Sequence, residues 1–571
     1  MKRLLVYLKN YKTESVFAPL FKLLEAVFEL IVPLIVAKII DKGIFFSDKN
    51  YVVKMCLVLV TFGVFGMVAS ITAQYFAAKS ATGFGKELRH SLFDKISNLS
   101  FSQIDKFSAS SLVTRLTNDV NQVQSGVNLV LRLFMRSPFI VIGAVVMAFT
   151  IDFKAALIFV AVVVLLSAVV FGIMAWTIPQ YRNIQSNLDS VTNVTRESLT
   201  GVRVIRAFCA EEEQEKTFSS ANNLLNKMQK TTGKISSLLN PATLVIINFG
   251  IIFLIYYSGV SVNSGNITQG QTVALYNYMS QILVELIKLA NLIITVTKSF
   301  ASADRIAAVL NENTDVEILK KKNVSNNIAV QFEDVSFSYT DEKEYSLKNI
   351  TFSAPKGSFV GIIGSTGSGK TTLVNLIARM YDATQGSVKI FGEDVKSYTP
   401  DELKKIVGVV SQKSVLFKGT VEENLKWAKN DATNEEMTEA LKSAQALEIV
   451  ENKGGLNALS EQEGRNFSGG QKQRISIART LVAKPSVLVL DDSSSALDFA
   501  TEKKLRNAVR NLDFSPTVFV VSQRISSIAD CDKILVLDDG VLVGCGTHTE
   551  LLENCSVYKE IYSSQYKEGV K

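Results

Sequence analysis

Cysteine and histidine are scarce in this chain. Five cysteines, Cys56, Cys209, Cys531, Cys545 and Cys555, are spread over 571 residues, and no two form a CxxC pair. That spacing excludes a disulfide framework and a thiolate metal site. The two histidines, His90 and His548, stand beside no candidate nucleophile and no ligand cluster. The opening stretch, MKRLLVYLKNYKTES, lacks the uninterrupted apolar core and small-residue cleavage site of a signal peptide. It reads instead as an amphipathic helix on an inner membrane face.

Apolar residues are abundant. They make up 47% of the chain, and the mean hydropathy is +0.21, too apolar for a soluble protein of this length. The net charge of +7 comes mainly from basic residues flanking the apolar runs. That placement points to a membrane surface, and no nucleic-acid partner is expected.

Six runs approach the ~20 apolar residues that a membrane-spanning helix needs. They are Ser15–Ile40, Tyr51–Ala78, Asn128–Ile151, Ala155–Trp176, Ala242–Val262 and Thr272–Val296. Arg132 and Arg136 interrupt the start of the third, and can snorkel if that end lies at the inner interface. Basic residues cluster before the first run and in the long segments after the second and fourth, including Lys86, Arg89, Arg196 and Arg203. The positive-inside rule then puts both termini of a multi-pass protein on the cytoplasmic side of an inner or plasma membrane. The two long basic segments are nearly free of proline and keep helical apolar spacing, as in Leu88, Leu92, Ile96 and Leu99. Charges also fall inside the spans: Lys22, Glu25, Glu29 and Lys38 in the first, Glu285 and Lys288 in the sixth. Two readings stay open, a polar translocation path or ion pairs such as Lys22–Glu25 and Glu285–Lys288.

The pattern changes after a polar linker, 311–327, which separates a membrane domain, 1–310, from an α/β domain, 328–571. An apolar strand, Phe359–Ile363, runs into Gly364, Ser365, Thr366, Gly367, Ser368, Gly369, Lys370 and Thr371, followed by a helical run from Thr372. This is the strand–loop–helix setting of a P-loop. Its glycines let backbone N–H groups turn toward phosphates, Lys370 reaches the β- and γ-phosphates, and the Thr371 hydroxyl ligates Mg²⁺. A second strand, Ser486–Leu490, ends in Asp491–Asp492, and Asp491 suits the same Mg²⁺.

Between these motifs lies NFSGGQKQR, and Phe467–Gln471 resembles the signature LSGGQ of ABC transporters. Ser468 caps a helix whose Gly469 and Gly470 amides are left to bind an anion, with Gln471 following. Tyr339 matches the family's adenine-stacking residue, Gln412 its Q-loop, which also serves the metal, and Ser495–Asp498 its D-loop. With six preceding spans, the whole chain resembles an exporter-type half-transporter of type IV fold. The fold class implied is a membrane all-α domain with long intracellular extensions fused to a P-loop ATPase that uses ATP and Mg²⁺. In that family each ATP is sandwiched between the P-loop of one chain and the signature of its partner.

Two positions depart from the family. Its general base is a glutamate where this chain has Asp492, and its switch histidine is replaced by Gln523. Aspartate is one methylene short, and a glutamine amide cannot become a cation or relay a proton. The residues for binding are kept. The resemblance therefore implies a site that holds Mg-ATP and hydrolyses it slowly, in a heterodimer with a second half-transporter whose catalytic residues are intact. The substrate class implied is amphipathic small molecules, drugs or lipids, moved out across the lipid membrane. A peptide exporter half and a nucleotide-sensing regulatory subunit are the alternatives.

Overall fold

The computed structural model describes residues 2–313, 319, 327–339, 344–493 and 496–566. Lys320–Lys322 of the linker and Ser495 of the D-loop lie outside the described residues. The chain divides into two units, Met1–Asn98 with Ser108–Asn313, and Leu99–Phe107 with Thr314–Lys571.

The first unit is helical. After a short 3-10 helix, Lys2–Tyr11, come α1 (Lys12–Lys38), α2 (Lys49–Ser97), α3 (Val120–Leu129), α4 (Arg136–Ile151), α5 (Phe153–Thr200), α6 (Glu211–Ser237), α7 (Leu239–Asn263) and α8 (Gln269–Leu310). Side chains fix several starts. Asp48 accepts from the Tyr51 amide at 3.0 Å ahead of α2, and Asp152 from the Ala155 amide at 2.7 Å ahead of α5. Thr268 and Gln271 form a capping box on α8.

Five stretches among the described residues are long and apolar enough to cross a membrane: Lys49–Ser97, Ala109–Ile151, Phe153–Thr200, Glu211–Asn263 and Gln269–Leu310. The expected first span forms α1, whose internal charges keep it out of that apolar set. The 49 residues of α2 reach about 74 Å at ~1.5 Å per residue, against a hydrocarbon core of ~30 Å. Small residues line the helix contacts: Ala26 of α1, Ala144 and Ala148 of α4, Ala155 and Ala156 of α5 and Ala274 of α8 are all buried in one cluster. Without a hydrophobic drive between helices in lipid, close backbone approach through small side chains supplies the attraction.

Several of the charges inside this unit are paired, whereas the Arg132 Nε is buried with no hydrogen-bond partner among the described residues. Lys22 bonds Glu25 at 2.5 Å and Ser70 at 3.1 Å, and Lys288 bonds Glu285 at 2.8 Å. Arg136 corrects one expectation. It does not snorkel but is 8% exposed, with Nη1 donating to Glu285 at 2.8 Å and Nη2 to Glu29 at 2.6 Å. A planar guanidinium between two carboxylates gains more in a low-dielectric interior than by stretching to an interface.

The second unit carries β1 (Ile328–Phe337), β2 (Leu347–Pro355), β3 (Phe359–Gly364), α9 (Lys370–Ile377), β4 (Gln385–Ile390), β5 (Val407–Val410), α10 (Gly469–Val482), β6 (Val487–Asp491), α11 (Phe499–Arg510), β7 (Thr517–Val521), β8 (Lys533–Asp538), β9 (Val541–Gly546) and α12 (Ser556–Gln565). Its six-stranded sheet has the order β9-β8-β3-β7-β6-β5. All neighbours are parallel except β8 and β9. Strands β3, β6 and β7 are buried at every residue, as uninterrupted apolar runs covered on both faces must be. Alternate residues feed two cores. Phe359, Leu488 and Val518 pack on the face that receives Ile475 and Leu481 of α10, whereas Val360, Val489 and Phe519 pack toward α9 and the smaller sheet of β1, β2 and β4.

Candidate functional site

The parallel register brings Ile362 of β3, Val521 of β7 and Asp491 of β6 level with one another, so the loops after all three strands meet at one edge. Ligands of open α/β sheets bind at such carboxyl ends. The loop between β3 and α9 turns through Gly367 (φ +86°) and Gly369 (φ +94°), in the left-handed region that side-chain-bearing residues rarely adopt. It closes on Lys370, whose ammonium donates to the carbonyls of Gly364 at 2.9 Å and Ser365 at 2.6 Å. The Ser368 hydroxyl is buried without a partner among the described residues. Thr371 lies beside Asp491, Oγ1 to Oδ1 3.3 Å.

These groups fit a magnesium nucleotide. An orphaned hydroxyl, an ammonium held by carbonyls alone and the start of α9 form a donor set that calls for phosphate oxygens. The Thr371 hydroxyl and the Asp491 carboxylate are the hard oxygen ligands that Mg²⁺ prefers. Burial pulls the Lys370 ammonium below its ordinary value, with Asp492 and then Asp491 opposing. Burial pushes Asp491 up, against the Thr371 hydrogen bond.

A cleft of about 320 Å³ gathers Tyr339, Thr366, Gly367, Gly369, Lys370, Thr371, Thr372, Gln412, Asp491, Asp492 and Gln523. The Tyr339 hydroxyl lies 3.0 Å from that of Thr372, and its ring meets Phe337 and Tyr381 edge to face. Asp492 sits at φ +44°, which aspartate tolerates better than most residues. Its amide donates to Val521 at 3.1 Å, and Gln412 Nε2 donates to its Oδ2 at 3.1 Å. Gln523 is exposed on the far wall, in the loop after β7.

Two sets of expected site residues lie outside this cleft. Ser468 caps α10 in a capping box with Gln471, and the Gly469 and Gly470 amides meet no acceptor among the described residues. Asp498 caps α11, accepting from the Thr501 amide at 3.0 Å, which holds its carboxyl below the usual range.

One contact gives no sequence signal. Gln565, at the end of α12, accepts from the Ile525 amide at 2.9 Å and donates to the Gln523 carbonyl at 2.7 Å, clasping the loop that carries position 523. Gln565→Ala should speed hydrogen exchange of the Ile525 amide by roughly fivefold, the effect of losing about 1 kcal/mol of local hydrogen bonding. Unchanged exchange would show that the loop is held otherwise. Lys370→Ala should weaken Mg-ATP retention by at least roughly tenfold in filter binding, since a charge-assisted bond to phosphate is lost. Equal retention would remove the loop from nucleotide binding.

Residues 16–286 match the family described as ABC transporter transmembrane region, and residues 347–495 match ABC transporter. The chain is 35% identical over 573 residues to the ABC transporter ATP-binding protein YfiB of Bacillus subtilis, covering 100% of this chain and 99% of that one. It is 33% identical to the ABC transporter ATP-binding protein Rv1273c of Mycobacterium tuberculosis, covering 98% and 97%. It is 27% identical to the ATP-dependent lipid A-core flippase of Vibrio vulnificus, covering 100% and 98%. The fold is similar to that of a bacterial Atm1-family ABC exporter with ATP bound, with a TM-score of 0.81, 24% identity, and coverage of 98% and 99%. A P-loop cleft and a long-helix membrane unit in one polypeptide, matched end to end by these relatives, make the chain a member of the ABC transporter family, with a membrane region fused to an ATPase domain that couples ATP hydrolysis to transport.

Proposed function

We propose that this chain is the slow-site half of a heterodimeric exporter that moves amphipathic small molecules, drugs or lipids, out across the membrane. The observation that carries this reading is the composition of the cleft, where Lys370, Thr371, Gln412 and Asp491 are suited to binding while Asp492 and Gln523 occupy the two catalytic positions. The likeness to a lipid A-core flippase supports an amphipathic substrate. The domains are 1–310 and 328–571, joined by 311–327, with both termini cytoplasmic.

Bound Mg-ATP supplies the free energy that closes the two nucleotide-binding domains. Tyr339 stacks the adenine, and the loop amides of 364–372 with Lys370 hold the phosphates. Thr371, Asp491 and Gln412 would hold Mg²⁺, which would offset the phosphate charge. Asp492 is one methylene short of the position from which a carboxylate would orient the attacking water, and Gln523 donates a hydrogen bond without relaying a proton. Ser468–Gln471 and Asp498 serve the site built on the partner's P-loop. Domain closure then biases the helices outward, as a ligand biases a two-state switch.

The test is ATP-dependent uptake of a fluorescent lipid into inside-out vesicles carrying this chain alone or with a half-transporter that has an intact glutamate and histidine. Uptake only with the partner supports the reading. Full uptake by this chain alone would refute the heterodimer, and nucleotide binding without uptake in either case would refute export.

A further inference from the structure

Within the membrane unit, α1 and α8 line an open pocket of about 400 Å³, inside the ~300–1,000 Å³ range of small-molecule sites. The charged residues of its wall, Glu29, Glu285 and Lys288, belong to one connected network that includes Arg136 and Ser137. Glu285, 2% exposed, takes Arg136 and Lys288 on one oxygen, both at 2.8 Å, and Ser137 on the other at 2.7 Å. Arg136 reaches on to Glu29 at 2.6 Å. Two cations and two carboxylates cancel, so the network is neutral.

Glu29 and Lys288 of the network, and Gln281 beside them, keep unused hydrogen-bonding capacity at the pocket wall. The second oxygen of Glu29 accepts no hydrogen bond among the described residues, and that side chain is 38% exposed. Lys288 is 41% exposed and, among the described residues, donates only to Glu285, leaving two N–H groups. Gln281 Oε1 is buried with no partner among the described residues. Val32, Pro33 and Val284 supply the apolar wall.

A ligand that satisfies this wall brings a cationic donor to Glu29 and Gln281 and an anionic group to Lys288. A ligand of net charge leaves one side uncompensated, which is costly where water is scarce. We propose that the pocket binds the zwitterionic, ammonium-and-phosphate-like polar end of an amphiphile whose apolar body lies against Val32, Pro33 and Val284. The proposal rests on the exporter reading and names the substrate class for it.

The test uses the full chain in a nonionic detergent without nucleotide, and follows displacement of radiolabelled dodecyl phosphoethanolamine. Dodecylammonium and dodecyl phosphate, each with one of the two charges, should need roughly tenfold higher concentration than the unlabelled zwitterion, the worth of one charge-assisted hydrogen bond. Glu29→Gln should let dodecyl phosphate compete as well as the zwitterion, and Lys288→Met should do the same for dodecylammonium. Both substitutions keep the Arg136–Glu285–Ser137 contacts. Free phosphoethanolamine should compete poorly; equal competition would replace the amphiphile with a soluble zwitterion and overturn the apolar half of the proposal. Equal displacement by all three amphiphiles in the unsubstituted chain, which needs no variant to fold, would overturn it altogether. Because no nucleotide is present, that failure leaves the exporter reading intact, and the vesicle uptake experiment judges the latter separately.

Discussion

Gly469→Val in this chain is expected to cut steady-state ATPase of the reconstituted heterodimer by at least ~10²-fold, the scale of losing preorganised donors to a developing anion. The reason is positional. Gly469 opens α10, and among the described residues a Cβ there would meet only the Ala496 Cβ at 3.9 Å. The substitution therefore costs this chain little in packing, and its effect falls on the nucleotide held by the partner. Gly470 would not serve as a clean probe, because its Cβ would stand 2.8 Å from the Ala496 carbonyl oxygen. Asp492→Asn should cost no more than about twofold, since little turnover passes through the site it occupies. Steady-state phosphate release from heterodimers carrying each change singly is the measurement. Equal losses from both would contradict the asymmetric reading.

The second large effect runs the other way. Asp492→Glu combined with Gln523→His should raise single-turnover hydrolysis at this chain's own site by ~10²-fold, the scale on which misplacing a reacting group by ~1 Å slows chemistry. The partner's site must be disabled for this measurement. Gln523 is exposed at the cleft, so histidine fits there without repacking. Asp492 is less accommodating, because its φ of +44° suits aspartate better than glutamate and opposes the single change by up to about 1 kcal/mol. Each single restoration should therefore gain much less than the pair, as groups acting together are non-additive. A double variant no faster than the parent would show that something other than these two positions limits the site.

Much of the nucleotide cleft was legible in the sequence because its chemistry is local. Gly367, Gly369 and Lys370 act through the conformation of one short loop, and the run ending in Asp491 announces a buried parallel strand. The charged residues of the membrane unit were legible only in part. Lys22–Glu25 and Glu285–Lys288 are three residues apart on their own helices, so helical spacing was enough to suggest those pairs. Arg136 was misjudged because its partners, Glu29 and Glu285, are 107 and 149 residues away.

By itself the sequence determined the composition of each element: the apolar runs, the phosphate loop, the capped start of the signature helix, and the two exchanges at Asp492 and Gln523. These depend on neighbours within a few residues, where spacing and side-chain chemistry suffice. Only the tertiary structure decided which distant groups share a surface. Strand order places the loop of Gln523 beside that of Lys370, α12 brings Gln565 onto the backbone of that loop, and packing of α1, α4 and α8 gathers four charges into a neutral wall. Such contacts form because buried polar groups must find partners, and the partners available are set by how the elements pack rather than by their separation along the chain.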